Sequence, residues 1–139
     1  MQSILDTARS DPRLNEFVRW VEAAGMAEAL RERGPFTVFA PIDPAFGDLP
    51  EDLTGKRERL ADVLAWHIVV GALPSGKVAT MRNPAVRTLR GAEIVVGHVD
   101  GVMQVNTARV VEPDIACTNG ILHIIDSVLM PTVAESVLK

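Results

Sequence analysis

The sequence predicts a single α+β domain, and three features of the chain carry that prediction. Apolar residues recur at helical spacing in the first third, short β-branched runs fill the part after Pro84, and glycine-containing dipeptides separate those runs. Helices first and strands second give the α+β class, with strands mostly antiparallel. The 139 residues match one ordinary domain, and a hydrophobic fraction of 47% is enough for a core without covalent staples. No repeat, low-complexity stretch or linker divides the chain, so residues 1–139 read as one domain.

The elements follow in order. Asp11-Pro12 is a cap followed by proline at the first helical position, and Leu14, Phe17, Val18 and Val21 keep helical spacing until Gly25. Met26 to Arg33 reads as a short helix stopped by Gly34-Pro35. A strand runs from Phe36 to Ala40, and Asp43-Pro44 repeats the cap-and-proline signal for a turn of helix ending near Phe46. From Lys56 to Ile68 the positions Leu60, Val63, Leu64, His67 and Ile68 share one helical face, which puts His67 on the buried side. Val86 to Leu89, Glu93 to Val99, Val102 to Asn106, Ala108 to Ala116 and Ile121 to Leu129 read as strands. Arg90-Gly91 and Asn119-Gly120 mark tight connections, and Asp100-Gly101 is a hairpin signal.

Composition removes several functional classes. The formal charge of −4 comes from 18 acids and 14 bases scattered along the chain, whereas a nucleic-acid binder needs a basic field. No apolar run approaches the roughly 20 residues that cross a bilayer, so membrane insertion is not expected. No basic stretch leads into an apolar one behind Met1, so the protein either stays inside the cell or begins after a removed leader. The single cysteine, Cys117, excludes an intramolecular disulfide and reads as a small buried apolar residue. Arginine outnumbers lysine 11 to 3, tyrosine is absent and no Asn-x-Ser/Thr acceptor occurs, a composition that points to a bacterial source.

The polar residues inside apolar segments are the candidates for chemistry. His67, His98 and His123 show none of the short spacings of zinc sites, so no metal and no cofactor are expected. His98 adjoins the hairpin turn and reads as solvated. His67 and His123 fall on apolar faces, where a neutral imidazole bonded to backbone or carboxylate is the expected state. For His67 the expected partner is Asp43 or backbone near it. Asp43 and Asp126 resemble a carboxylate pair for acid–base work, but Asp43 has a helix to cap and Asp126 interrupts an apolar strand. Ser75 and Ser127 lack flanking elbow glycines, and no phosphate-binding loop is present. The chain does not read as an enzyme.

Three segments share the character of apolar runs interrupted by such groups: Gly34 to Phe46, Leu64 to Gly71, and Asn119 to Pro131 with His123 and Asp126. In this order and spacing they resemble the two long motifs and the central Tyr-His motif of the fasciclin domain family, over about residues 1 to 132. Two positions depart from the pattern: Ile42 stands where threonine is usual and Trp66 where tyrosine is usual, and each change loses a hydroxyl. The resemblance implies a wedge of two small, mostly antiparallel sheets with the N-terminal helices packed along one side. It also implies a non-enzymatic adhesion or protein-interaction module, acting through surface patches at the cell surface, in the periplasm or after secretion, with the cytoplasm as the remaining alternative. The expected partner is a surface or matrix protein, or else a polysaccharide, met by a monomer through weak multivalent contacts. A small-ligand or polysaccharide-binding domain is the alternative, and a hydrolase using Asp43 with His67 or His123 is a third class. Glu112-Pro113-Asp114-Ile115 matches four of the five residues of a Glu-Pro-Asp-Ile-Met adhesion sequence assigned to integrin recognition in animal relatives. The same residues also suit a bulged strand end, with Pro113 breaking pairing, Ile115 filling the core and Asp114 meeting a backbone donor.

Overall fold

The computed structural model describes residues 3–28, 30, 34–48, 61, 63–80, 85–89, 91, 93–99, 101–106 and 108–129. Ser3 opens helix α1 (Ile4–Ser10), its hydroxyl accepting from the Asp6 N–H at 3.2 Å. Asp11 accepts from the Arg13 N–H at 2.9 Å and starts the 3₁₀ turn Pro12–Leu14, which leads into α2 (Asn15–Ala23). The cap-and-proline signal therefore starts a 3₁₀ turn, and α2 begins just beyond it. Phe17, Val18, Trp20 and Val21 form its buried stripe, and Gly25 closes it at φ 75°. Where a second helix was expected over 26–33, residues 27–28 form a turn, Leu30 is in a 3₁₀ turn, and residues 29 and 31–33 lie outside the described residues.

The strands are β1 (Phe36–Pro41), β2 (Ile68–Val70), β3 (Ala85–Arg87), β4 (Glu93–Val99), β5 (Val102–Val105), β6 (Ala108–Cys117) and β7 (Gly120–Ile125). A short helix, α3 (Ser75–Thr80), lies between β2 and β3. Of the helix expected over 56–68, residues 56–60 and 62 lie outside the described residues, and 63–65 are helical. His67 sits in the turn that closes it, with its N–H on Leu64 O at 2.9 Å, and not on the helix face. Its carbonyl accepts from Phe39 N–H at 2.8 Å, so the chain is already turning into the β2 ladder.

The sheet order is β2-β1-β7-β6-β5-β4-β3, with β1 and β7 parallel and the other ladders antiparallel. One hydrogen-bonded series of seven strands takes the place of the two separate sheets expected. The reason is β6. Its first residues pair with β5 at Ala108 and Arg109, and the rest pairs with β7 from Val110 to Cys117, so one strand joins both halves. Register shifts between Val110 and Glu112 and between Glu112 and Ile115 bend it.

Two apolar clusters fill the interior. One packs α1 and α2 against Val38, Ala40, Leu122 and Ile124; the other contains Phe39, Ile125, Ile94, Val96, Met103 and Val105. Side chains alternate along a strand, so β1 and β7 send successive residues to opposite clusters and form the wall between them. Burial on both faces explains why these two strands read as apolar runs without a polar period.

The wall is fixed at one end by Asn119. Its Oδ1 accepts from Ile4 N–H at 2.9 Å, its Nδ2 donates to Leu30 O at 2.8 Å, and its carbonyl accepts from Phe36 N–H at 2.9 Å. The next residue, Gly120, lies so close to β1 that an added Cβ would land on the Phe36 carbonyl oxygen. Gly120→Ala is expected to destabilise by about 3 kcal/mol, because backbone has to move to admit the methyl. Gly76→Ala in α3, with open space at its Cβ, is expected to leave stability nearly unchanged. Urea denaturation of the two variants checks the contrast.

Candidate functional site

His123 stands opposite Phe39 in the β1–β7 ladder, the two rings stacked with centroids 5.4 Å apart and planes 19° from parallel. Its Nδ1 accepts from the Asp114 N–H at 3.0 Å, which leaves the proton on Nε2, donated to Leu73 O at 2.8 Å. The ring is therefore neutral. Burial depresses its pKa, and the bond to the Leu73 carbonyl and the nearby Asp114 carboxylate offset only part of that.

His67 repeats the logic with different partners. Its Nε2 accepts from the Leu129 N–H at 2.9 Å, and Nδ1–H donates to Val63 O at 2.8 Å. Complete burial pushes its pKa down to about 4, against a smaller raising effect of the Val63 carbonyl. The expected partner in the first long motif is not the one found: Asp43 lies elsewhere, its Oδ1 accepting from the Glu16 N–H at 2.7 Å at the start of α2. Asp43 thus serves as a cap for a helix far upstream.

Asp114 occupies the bulge of β6 at φ 61°, a left-handed conformation that Asp tolerates better than most residues. This turns its carboxylate toward the start of α3, where it accepts from the Ser75 N–H at 2.7 Å and from the Ser75 hydroxyl. Partial burial works to raise its pKa, but the two Ser75 donors, with His123 and His98 near, hold it below the usual carboxylate range. His98 is exposed as expected, and its Nε2 lies 3.2 Å from Ser75 O. Ser75, His98, His123 and Asp114 thus gather at one place, yet the serine hydroxyl donates to a carboxylate. A nucleophilic serine donates to an imidazole that can take its proton, and that arrangement is not formed here.

The other candidate residues also bind backbone or surface groups. Glu112 is exposed and pairs with Arg13 Nη2 at 2.8 Å, a guanidinium that also holds Asp11 at 2.7 Å. Hydrogen bonds from Arg13 hold the Asp11 carboxyl below its usual range, although burial pushes the other way. Pro113 is exposed, and Ile115 is half-buried against the α1–α2 cluster. The bulge lies inside β6 and not at its end. Asp126, just past β7, exchanges bonds with Arg109 by accepting its N–H at 2.9 Å and donating its own at 3.0 Å, which extends the ladder. Among the described residues no three His, Cys, Asp or Glu side chains come together as a metal site. Sequence reasoning missed Asn119 as a hub and Thr37 as a buried clamp, whose hydroxyl donates to Gly71 O and accepts from Leu73 N–H. Asn119 carried a signal, but only that of a turn.

Fold and site together define a small α+β domain in which the polar residues of its motifs are used to hold backbone in place. Comparison with known proteins agrees. The Fasciclin domain model matches residues 12–131, and the chain belongs to the fasciclin domain family. The protein sll1735 of Synechocystis sp. is 37% identical over 134 residues, covering 94% of this chain and 98% of that protein. Transforming growth factor-beta-induced protein ig-h3 of Sus scrofa is 33% identical over 94% of this chain, which spans 20% of its length. The structure of a FAS1 domain pair from the insect cell adhesion molecule Fasciclin I superposes with a TM-score of 0.78 at 20% identity, over 94% of this chain and 51% of that one.

The histidines make stability depend on pH. His67 has a folded pKa of about 4 against an ordinary 6.5, so the unfolded chain takes up a proton that the folded one refuses. Its contribution is full above 6.5 and is lost as pH falls from 6.5 to 4, amounting to about 3 kcal/mol over that window. His123 adds a loss of the same sign. His67→Gln is expected to flatten the slope by one proton, read from urea midpoints across the window, and an unaltered slope refutes the assignment. Cys117, buried beside Thr7 with its thiol pKa raised by burial, is expected to react with a thiol reagent far more slowly in the folded than in the urea-unfolded protein.

Proposed function

We propose that this protein is an adhesion-type interaction module, acting outside the cytoplasm through surface patches and performing no chemistry itself. The observation that carries this reading is the commitment of His67, His123, Asp43, Asp114 and Asp126 to backbone partners. A catalytic constellation needs titratable groups aimed at a shared reacting atom, and these are aimed at amides. The likeness to a domain pair described as part of a cell adhesion molecule supports the same reading.

The contact segment we infer is the β6 bulge, Glu112-Pro113-Asp114-Ile115. Glu112 and Pro113 face solvent, Asp114 sets the shape of the bulge through Ser75, and Ile115 anchors it inward. The partner is a surface or matrix protein. Contact through so small a patch is weak for one copy and effective for many, since multivalency raises avidity by roughly 100- to 10,000-fold.

The test is binding of cells or matrix to many displayed copies. Glu112→Ala and Pro113→Ala are expected to melt near wild type and to lose binding. Asp114→Ala is expected to lose binding together with about 1 kcal/mol of stability, because the cap of α3 goes with it. Full binding by folded Glu112→Ala and Pro113→Ala returns the segment to a structural role. Turnover of a substrate that stops in folded His67→Gln overturns the module itself.

A further inference from the structure

His123, Asp114, Ser75 and Leu73 form a closed ring of bonds. The His123 Nε2–H donates to Leu73 O at 2.8 Å, and its Nδ1 accepts from the Asp114 N–H at 3.0 Å. The Asp114 carboxylate accepts in turn from the Ser75 N–H at 2.7 Å and from the Ser75 hydroxyl. Leu73 and Ser75 are near neighbours in the chain, so the ring ties the bulge of β6 to the start of α3 through one imidazole. That imidazole is fully buried, whereas Glu112, Pro113 and Asp114 are exposed.

The sensitive point of the ring is Nδ1. A proton added there sets donor against donor, N–H facing the Asp114 N–H, and the imidazolium then needs a counter-charge. The surroundings decide whether one is at hand. β7 carries no other ionisable residue, β1 presents the Phe39 ring, and the segment before α3 presents the Leu73 carbonyl. Lys77 of α3 is exposed, and His98 of β4 bears on Asp114 and not on His123. The Asp114 carboxylate, from β6, is the charge that works against burial of the ring. His67 has no such neighbour, since its ring meets only the Val63 carbonyl and the Leu129 N–H. Of the two buried imidazoles, His123 is the one whose protonated form has somewhere to place its charge. The bulge, for its part, has somewhere to go. Asp114 is kept at φ 61° by its N–H on His123 and its carboxylate on Ser75. Protonation removes the first hold and offers the carboxylate a charged partner in place of the second, which leaves the backbone free to quit the left-handed region.

We propose that His123 is a proton-operated latch on the β6 bulge: neutral, it holds Glu112-Pro113-Asp114-Ile115 in the form that makes contact, and protonated in mild acid it draws the Asp114 carboxylate away from Ser75, so that the bulge relaxes and the contact is released. The two-state element is the bulge, and the proton is the ligand that binds one of its states better. The inference rests on reading the bulge as the contact segment of an interaction module, and it adds the condition under which that contact lets go.

The experiment follows the full chain by NMR from about pH 7.5 to about pH 5 while adhesion of the displayed protein is measured over the same range. The Asp114 and Ser75 amides are expected to move together with the His123 ring signals. The Ile4 and Phe36 amides, held by Asn119, and the Leu129 amide, held by His67, are expected to keep their positions. Adhesion is expected to fall about ten-fold across that titration. His123→Gln, whose amide offers an acceptor and a donor without titrating, is expected to flatten both responses, and His98→Gln is expected to keep them. Asp114→Asn keeps an acceptor for Ser75 and suits a left-handed residue but removes the counter-charge, so the His123 titration is expected to move to lower pH. That shift tests the proposal even where His123→Gln does not fold. A His123 ring that stays neutral throughout, bulge amides that ignore its titration, or amides that all move at once as in unfolding overturns the latch. Adhesion that stays constant while the bulge moves removes the latch and leaves the module reading intact. No adhesion at any pH overturns the module reading instead, and the amides then decide the latch on their own.

Discussion

β1 and β7 run parallel over six residue pairs, and parallel strands cannot be joined by a tight turn. All the remaining strands, together with α3, lie in sequence between them. Closing this pair therefore brings the whole intervening chain back on itself, and it creates the double-faced wall that separates the two cores. Asn119 bolts that wall to α1, to Leu30 and to β1 at one point, and Gly120 permits the approach by lacking a side chain. Without the wall neither apolar cluster has its second side.

Polar residues in such a wall have to be satisfied, and the two histidines show how. Each imidazole accepts a backbone N–H on one nitrogen and donates to a carbonyl through the other. That work requires the neutral ring, because a protonated ring has no acceptor. Burial is the source of the depressed pKa values, and the backbone N–H that each ring accepts depends on it. His123 also ties the interior to the surface. The N–H it accepts belongs to Asp114, whose carboxylate in turn caps α3, so a core residue sets the form of an exposed bulge.

The same economy of backbone bonding shapes one feature on the outside. The bulge of β6 presents Glu112 and Pro113 on a frame that cannot easily relax, since it is held by His123 below and Ser75 beside it. It is a consequence of how a strand is bent, and it needs no catalytic group. The proposed interaction by a preformed surface suits a domain in which His67, His123, Asp43, Asp114 and Asp126 are all bonded to backbone.

The sequence by itself determined the class and most of the elements. Helical spacing in Leu14, Phe17, Val18 and Val21 located α2, and β-branched runs with Gly101 and Gly120 at their turns located β4, β5, β6 and β7, because periodicity and turn chemistry are local properties. It also named His67, His123, Asp43, Asp114 and Asp126 as polar groups in need of partners. Tertiary structure alone decided which partners those were. Asp43 caps a helix lying 27 residues earlier, His67 meets Leu129 62 residues later, and Asp114 caps α3 from 39 residues away. No local pattern records such distances. α3 itself was invisible for the same reason: its six residues are too few for a period, and its cap comes from another strand. The single continuous sheet followed from β6, where two ladders share one strand through bulges that depend on both neighbours. A chain states which of its groups must be satisfied; only the folded arrangement brings the groups that satisfy them within reach.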